Sequence, residues 1–336
     1  MLQTSEKIIH ITIKPPIWRT TYAYIFGILL LVGIIYYTIR KIIQKLKREN
    51  RRLLERQVWA DKLEKQQIEL ESKNKNILDS INYAKRIQSA ILPARAKFRQ
   101  LVPSYFMLYM PKDIVSGDFY WIRKIDTKIF IVCADCTGHG VPGAFMSIVG
   151  NNLLRNITKT KNIHKASEIL DYLNKSIIEL FTKNEIDDET AVKDGMDISI
   201  CVFHTDTGVL EFSGALTRML IVRNNQLLTY RGDKNPVGLC NEQDIKFTEA
   251  IIRVQKNDRF YLFSDGFADQ FGGEKGKKMK FKHFKHVILS VQHLPLMKQG
   301  NELKKQFLQW QGKYEQVDDV LVMGFDFNVY LKDENE

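Results

Sequence analysis

Cysteine is scarce in this sequence, with only four among 336 residues. This scarcity excludes the disulfide frameworks that stabilise many small secreted domains. Cys133 and Cys136 form a C-x-x-C spacing around Asp135, but the local sequence supplies no further ligand or redox partner. We therefore expect buried thiols in a reducing compartment rather than a zinc or redox site.

Proline and glycine are absent between Arg40 and Leu92, where helix-forming residues dominate. A heptad register fits this segment and predicts a coiled coil. Its a positions are Leu46, Leu53, Ala60, Gln67, Asn74, Ile81 and Gln88. Its d positions are Ile42, Glu49, Arg56, Leu63, Leu70, Ile77, Ala84 and Ile91. The seam is polar in patches, which favours a parallel homodimer of modest stability; a passive spacer is the alternative.

Acidic residues are too few to balance the basic ones, and the net charge is +11. The imbalance is local, because residues 40–100 hold 17 Lys/Arg against 7 Asp/Glu. Residues 101–336 are nearly neutral, with 30 against 31. The basic segment follows a long apolar run, where positive charge sets membrane orientation. A nucleic-acid partner is therefore not expected.

That apolar run, Tyr22–Ile39, is long enough to cross a bilayer as a helix. Basic residues cluster after it rather than before it, which argues against a cleavable signal peptide. The positive-inside rule then predicts a single-pass inner-membrane protein whose C-terminal part is cytoplasmic. Before the run, Lys7–Lys14 alternates as a strand would and resembles the closing strand of the Y_Y_Y-type β-sandwich of bacterial sensors. We expect a fragment of such a sensor, or a relative without one.

Beyond Pro93 the pattern alternates between strands and helices, and short turns favour antiparallel pairing. The predicted strands are 105–110, 118–124, 129–134, 198–204, 209–213, 218–223, 226–230, 259–263 and 320–325. The predicted helices are 142–159, 166–182, 282–294 and 297–309.

Four acidic motifs stand at predicted strand ends: SGDFYW (116–121), ADCTGHGVPGA (134–144), LFSDGFADQFGG (262–273) and QVDDVLV (316–322). A carboxylate that is desolvated at such a place needs a cation. An aspartate after a strand is by itself most often a turn residue. Four such sites together indicate a site for hard cations with oxygen ligands.

These motifs, in this order and spacing, resemble the PPM-type (type 2C) serine/threonine phosphatases, in the bacterial branch typified by stage II sporulation protein E. The resemblance extends from Ile87 to the C-terminus. It implies an α+β fold in which two β-sheets form a sandwich flanked by helices. The predicted organisation is a remnant periplasmic strand (1–18), a transmembrane helix (19–40), a coiled-coil signalling helix (41–92) and a phosphatase domain (93–336).

The resemblance also implies a site that holds two divalent ions, Mn²⁺ or Mg²⁺. Asp135 would bridge the ions, assisted by the backbone carbonyl of Cys136. Asp265 and Asp318 would bind one ion each, with Asp319 as the alternative to Asp318, and Asp118 would act largely through water. His139 is a candidate general acid, and packing against the glycine-rich turn is its alternative role.

The implied function is hydrolysis of phosphoserine and phosphothreonine in a protein substrate, such as a phosphorylated STAS-type anti-anti-sigma protein. The alternative is a pseudophosphatase that binds a partner without turnover. Two departures from the family pattern concern the substrate side. Leu216-Thr217 stands where relatives often carry Asn, and Leu321-Val322 replaces a common Thr-Leu.

Overall fold

The computed structural model describes residues 16–182, 194–238 and 245–331. The strand predicted at Lys7–Lys14 lies outside the described residues. The chain divides into two compact units, Met1–Asn76 and Ile77–Glu336. The bounds of the four predicted segments stay predictions, since the division into units does not test them.

The described part of the first unit is helical, with a short 3₁₀ turn at Ile17–Arg19 and most of helix α1, Thr21–Ile91. The helix continues without a break from the predicted span into the predicted coiled coil. Exposed pairs four residues apart, such as Arg51 with Glu55, support its polar stretch weakly. Its apolar stretch is exposed and qualifies as a membrane span by length and composition only.

The second unit is a β-sandwich with helices on both outer faces, as predicted. The first sheet has the order β1-β12-β9-β6-β7, and the second has the order β2-β3-β4-β5-β8. The strands of the first sheet are β1 (Tyr105–Met110), β6 (Arg218–Arg223), β7 (Gln226–Arg231), β9 (Arg259–Phe263) and β12 (Val320–Phe325). Those of the second are β2 (Phe119–Ile125), β3 (Lys128–Cys136), β4 (Met196–His204), β5 (Val209–Ala215) and β8 (Ala250–Arg253).

The remaining elements are helices and one short hairpin, β10 (Phe271–Gly272) with β11 (Lys277–Lys278). The helices are α2 (Arg95–Leu101), α3 (Gly140–Lys159), α4 (Ala166–Thr182), α5 (Gly266–Asp269), α6 (Lys280–Ser290) and α7 (Leu296–Gln311). The described strand pairs within both sheets are antiparallel. The turn-based prediction of antiparallel pairing is therefore confirmed.

Strand β3 shows how the layers form. Ile129, Ile131 and Cys133 point into a core between the two sheets. The alternate residues Phe130, Val132 and Ala134 point to a second core against helices α3 and α4. Because side chains alternate along a strand, a strand that is buried on both faces reads as a continuous apolar run. A third core lies between the first sheet and helices α6 and α7.

Candidate active site

The four acidic motifs meet at one edge of the sandwich. Asp118 directly precedes β2, and Asp135 is the penultimate residue of β3, both in the second sheet. Asp265 follows β9, and Asp318 lies just before β12, both in the first sheet. The acidic cavity, about 220 Å³ in volume, lies at this edge. It is lined by Asp135, Cys136, Thr137, Gly138, His139, Asp197, Asp265 and Asp318.

Asp118 joins the two sheets beside this cavity. Its side chain is buried, and the Ser264 hydroxyl donates a hydrogen bond of 2.5 Å to its Oδ2. The same Ser264 oxygen accepts a hydrogen bond from the Leu321 amide at 3.0 Å. Burial raises the pKa of Asp118 well above its usual range, the Ser264 hydrogen bond lowers it, and the charges of Asp319 and Asp318 raise it further.

Asp135 has acidic neighbours on both sides. It lies directly opposite Asp197 in the pairing of β3 with β4, and Asp265 lines the same cavity. Burial raises the pKa of Asp135 well above its ordinary value, and the charges of Asp118 and Asp265 add to this. Burial raises the pKa of Asp197 to about 6, with a further contribution from Asp265.

This crowding suits divalent cations. Burial and mutual repulsion both disfavour the ionised carboxylates, and a cation placed among them would reverse that balance. Within the described residues, no three His, Cys, Asp or Glu side chains are grouped so that they could hold one ion. Mg²⁺ usually keeps several waters when it is bound through one or two carboxylates. The all-oxygen donor set fits Mg²⁺ or Mn²⁺ on these terms.

Asp318 and Asp319 have different surroundings. Asp319 is buried, and its two carboxylate oxygens accept hydrogen bonds from the backbone amides of Lys112 and Gly117, each at 2.7 Å. Asp318 lines the acidic cavity, and its Oδ1 accepts a hydrogen bond from the Asp319 amide at 2.8 Å. Asp318 is thus the member of the pair that faces the cavity, and Asp319 binds the loop before Asp118.

Glycine at 117 lets two of the motifs pack together. A Cβ on Gly117 would lie 2.6 Å from the Gly138 carbonyl oxygen and 3.2 Å from that of Cys136. Gly143 approaches the same Gly138 oxygen, at 2.3 Å from an added Cβ. Any larger residue would push the motifs apart. The close packing places the Cys136 carbonyl beside the loop that carries Asp118.

His139 lies at the N-terminus of α3, half-exposed, between two residues that the sequence analysis did not identify. Its Nδ1 is 2.7 Å from Asp113 Oδ2, and its Nε2 is 3.1 Å from Lys112 Nζ. An ammonium group only donates, so Nε2 accepts and the ring proton lies on Nδ1. The signal that was available is Pro111-Lys-Asp, immediately upstream of the SGDFYW motif.

A second space, the arginine cavity, adjoins the first and also has a volume of about 220 Å³. The two cavities share Asp135, Asp197 and Asp265. The other residues that line the arginine cavity are Cys133, Leu216, Thr217, Arg218, Phe263, Ser264, Ala268, Asp269 and Phe281. The Leu216-Thr217 departure thus lies beside the acidic cluster.

Gln88 corrects one detail of the predicted coiled coil. The heptad register places it on a seam that faces a partner helix, but its side chain is buried in the second unit. Its Nε2 donates to the Ser116 carbonyl at 2.6 Å and to Ser147 Oγ at 2.9 Å. The end of α1 is therefore bonded to the SGDFYW motif.

Comparison with known proteins extends these observations. The family model of stage II sporulation protein E (SpoIIE) matches residues 125–328. The SiaA-PP2C domain of Pseudomonas aeruginosa is 28% identical, with a TM-score of 0.67 over 76% of this chain and 98% of that chain. The PP2C phosphatase domain of SpoIIE from Bacillus subtilis, solved with part of its regulatory domain, is 18% identical. Its TM-score is 0.54 over 66% of this chain and 63% of that chain.

The RsbU and RsbW domains of a Mycobacterium tuberculosis protein are 15% identical, with a TM-score of 0.50 over 67% of this chain and 60% of that chain. Likenesses at such low identity show the fold alone. No curated protein sequence matches this chain. The family match covers more than half of the chain, and the sandwich carries the expected acidic motifs at one edge. The chain therefore belongs to the stage II sporulation protein E family of PPM-type phosphatase domains.

Proposed function

We propose that this protein is a membrane-tethered, metal-dependent phosphatase that hydrolyses phosphoserine and phosphothreonine in a protein substrate. The observation that carries the proposal is the acidic cavity, where Asp135, Asp265 and Asp318 converge from two sheets beside buried Asp118. A phosphate monoester is repelled by such a cluster of carboxylates unless cations are bound there. A metal-dependent phosphatase therefore accounts for this cluster of carboxylates, and a metal-free protein does not.

Each acidic residue would have its own part in holding the ions and the water. Asp135 would hold both ions, with help from the Cys136 carbonyl, and Asp265 and Asp318 would hold one each. Asp118, fixed by Ser264, would orient water around them. When bound, two such ions act as Lewis acids on the phosphoryl oxygens and lower the pKa of water.

His139 and Lys112 are placed for the leaving group. The serine or threonine oxygen needs a proton when its bond to phosphorus breaks. Asp113 holds the Nδ1 proton of His139 and fixes the orientation of the ring, and a protonated ring would donate its Nε2–H. Lys112 must first release Nε2, and a phosphoryl oxygen is an acceptor that its ammonium would prefer.

A pseudophosphatase is the second candidate. In its favour, no three side chains of the described residues are grouped to hold one ion. A partner-binding module would need the fold but neither ions nor turnover. Metal binding and hydrolysis, measured together, separate the two candidates.

The first test measures hydrolysis of para-nitrophenyl phosphate and of a phosphoserine peptide by the full chain in detergent. We expect activity only with Mn²⁺ or Mg²⁺ and none with chelator. Asp135→Asn should lower kcat/KM by more than about 100-fold, since even residues that only support metal ligands cost 10- to 100-fold. Asp206→Asn, in an exposed turn, is the matched control. Full turnover in chelator or in Asp135→Asn contradicts the proposal, and metal binding without turnover favours the pseudophosphatase.

The proposal also includes a membrane anchor and a homodimer. The apolar run of α1 and its basic C-terminal flank support one inner-membrane span with the phosphatase domain in the cytoplasm. The polar-patched heptads support a homodimer of modest stability. A phosphorylated STAS-type anti-anti-sigma protein is the substrate that we propose from the family resemblance. Sedimentation of the full chain in detergent tests the pairing, because a monomer at all concentrations contradicts it.

A further inference from the structure

The arginine cavity contains a cation that the proposed chemistry does not use. Arg218 is the first residue of β6, and its guanidinium carbon lies 4.5 Å from the centre of the Phe281 ring. Nearby Asp269 is already paired with Lys278 at 2.7 Å. Among the described residues, no carboxylate forms an ion pair with Arg218. Its planar fork of N–H donors is thus free to bind a ligand.

The backbone around Arg218 is fixed before any ligand arrives. Thr217 Oγ1 donates to the Ile198 carbonyl at 3.0 Å and accepts from Ser199 Oγ at 2.7 Å. The Leu216 amide donates to the Asp233 carbonyl at 2.8 Å. A preorganised cation loses little conformational freedom on binding, which favours affinity.

The other wall of the cavity is also fixed. Phe281 packs against Phe263, with ring centres 5.8 Å apart, and against Phe284 at 6.4 Å. The face of Phe281 therefore supports the guanidinium plane as a rigid surface.

The rim beyond Phe281 is strongly basic. Six lysines and no acidic residue lie between Lys275 and Lys285, and the Lys285 ammonium is 5.5 Å from the Phe281 ring centre. The floor shared with the acidic cavity carries Asp135, Asp197 and Asp265. Arg218 and Lys285 both lie at the Phe281 ring, next to the three aspartates that the two cavities share.

We propose that Arg218 determines substrate specificity by binding a carboxylate next to the phosphorylated residue of the protein substrate. This inference rests on the proposed function. The phosphoryl group belongs in the acidic cavity with Asp318 and His139, neither of which lines the arginine cavity. Because the cavities adjoin through three shared aspartates, a neighbouring side chain of the substrate reaches Arg218. A carboxylate fits because it takes two parallel hydrogen bonds from a guanidinium.

The test compares two peptides that differ only beside the phosphoserine, Glu-pSer-Glu and Gln-pSer-Gln, with para-nitrophenyl phosphate as a substrate that has no flanks. The full chain in detergent should favour the glutamate peptide by about 10-fold in kcat/KM, which is typical of one charge-assisted interaction. Arg218→Gln should abolish this preference and leave aryl phosphate hydrolysis unchanged. Arg218→Lys should keep part of it, because a point charge lacks the fork.

Arg253→Gln is the matched control, because Arg253 is exposed on β8 of the other sheet and lines neither cavity. It should keep the parent's preference. Arg218→Glu should reverse the selectivity in favour of a Lys-pSer-Lys peptide, which a merely unfolded or damaged site would not do.

Equal rates on both peptides for the parent would overturn the inference. So would a parallel loss of aryl phosphate activity in Arg218→Gln, which would assign Arg218 to the reacting phosphoryl group. Fluorescence anisotropy of the labelled peptides gives a readout without turnover. If no phosphate ester is hydrolysed, the proposed function fails. A 10-fold weaker affinity of Arg218→Gln for the glutamate peptide would still support the role of Arg218, and unchanged affinity would refute it.

Discussion

The two adjacent aspartates of the QVDDVLV motif differ in their surroundings. Asp318 faces the acidic cavity, whereas Asp319 accepts two backbone hydrogen bonds in the protein interior. The Asp318 carboxylate is available to a cation, whereas both oxygens of Asp319 accept hydrogen bonds from the loop before Asp118. The sequence resemblance already favours Asp318 as the ligand, and the structure shows what Asp319 binds instead.

Replacing each of the two by asparagine should therefore give opposite phenotypes. Asp319→Asn leaves one backbone amide facing an NH₂ group, so the free energy of unfolding should fall by about 1–3 kcal/mol. Asp318→Asn should weaken Mn²⁺ binding and leave thermal stability in chelator unchanged or higher, since one repelling charge is gone. Calorimetric Mn²⁺ titration and thermal unfolding measure the two effects. Weaker metal binding by Asp319→Asn at unchanged stability would reverse the assignment.

The acidic cluster should also make stability depend on pH when metal is absent. The pKa of Asp197 in the folded protein is raised from 3.8 to about 6, chiefly by burial, so folding favours its protonated form. Its stabilising contribution is present below pH 3.8 and is lost as the pH rises through 6. We expect the Tm in chelator to fall between pH 5 and pH 7, and Asp197→Asn to reduce that fall. Mn²⁺ should restore more stability at pH 7 than at pH 5; an equal gain at both values contradicts this.

The end of helix α1 shows what a single element contributes to the site. Gln88 connects the helix to the Ser116 carbonyl and to Ser147 on α3. Ser116 stands two residues before Asp118, so the helix end and a proposed site residue are held in one hydrogen-bonded segment. A displacement of the last turn of α1 would therefore change the position of Asp118 in the acidic cluster.

Gln88→Leu should therefore destabilise the second unit and lower activity. The substitution leaves a buried carbonyl without its donor, at a cost of about 1–3 kcal/mol. Gln44→Leu, at an exposed position of the same helix outside the predicted a and d seam, is the matched control and should not destabilise that unit. Thermal unfolding and kcat/KM on aryl phosphate measure both variants. Identical behaviour of the two variants would mean that the Gln88 contacts contribute nothing.

At the scale of the whole molecule, the basic flank after the apolar run predicts the topology. Protease added to sealed, right-side-out cells should leave the phosphatase domain intact, because Arg40 onward is expected in the cytoplasm. The same protease should degrade the domain after the cells are permeabilised, which serves as the control. Cleavage in intact cells would reverse the orientation and exclude a cytoplasmic substrate.

Most of the architecture of the second unit could be predicted before its structure was known. Alternating apolar residues and short turns predicted antiparallel strands, including the bounds of β1, β6, β9 and β12. The four acidic motifs carried the family resemblance, and that resemblance implied the sandwich. Periodicity and turn chemistry depend on neighbouring residues in the sequence, so they can be recognised without tertiary information. The short strand β8 and helix α2 escaped prediction because four to seven residues carry too little periodicity.

Which side chains of these elements lie in contact depends on tertiary packing. It gave Asp319 its backbone partners, brought Lys112 and Asp113 to His139, and moved Gln88 from a predicted helix seam into the domain interior. It also placed Arg218 over Phe281, 63 residues further along the chain, beside the acidic cluster. Such pairings depend on how two sheets and their loops pack. No local pattern encodes them, because the residues that meet are far apart in sequence.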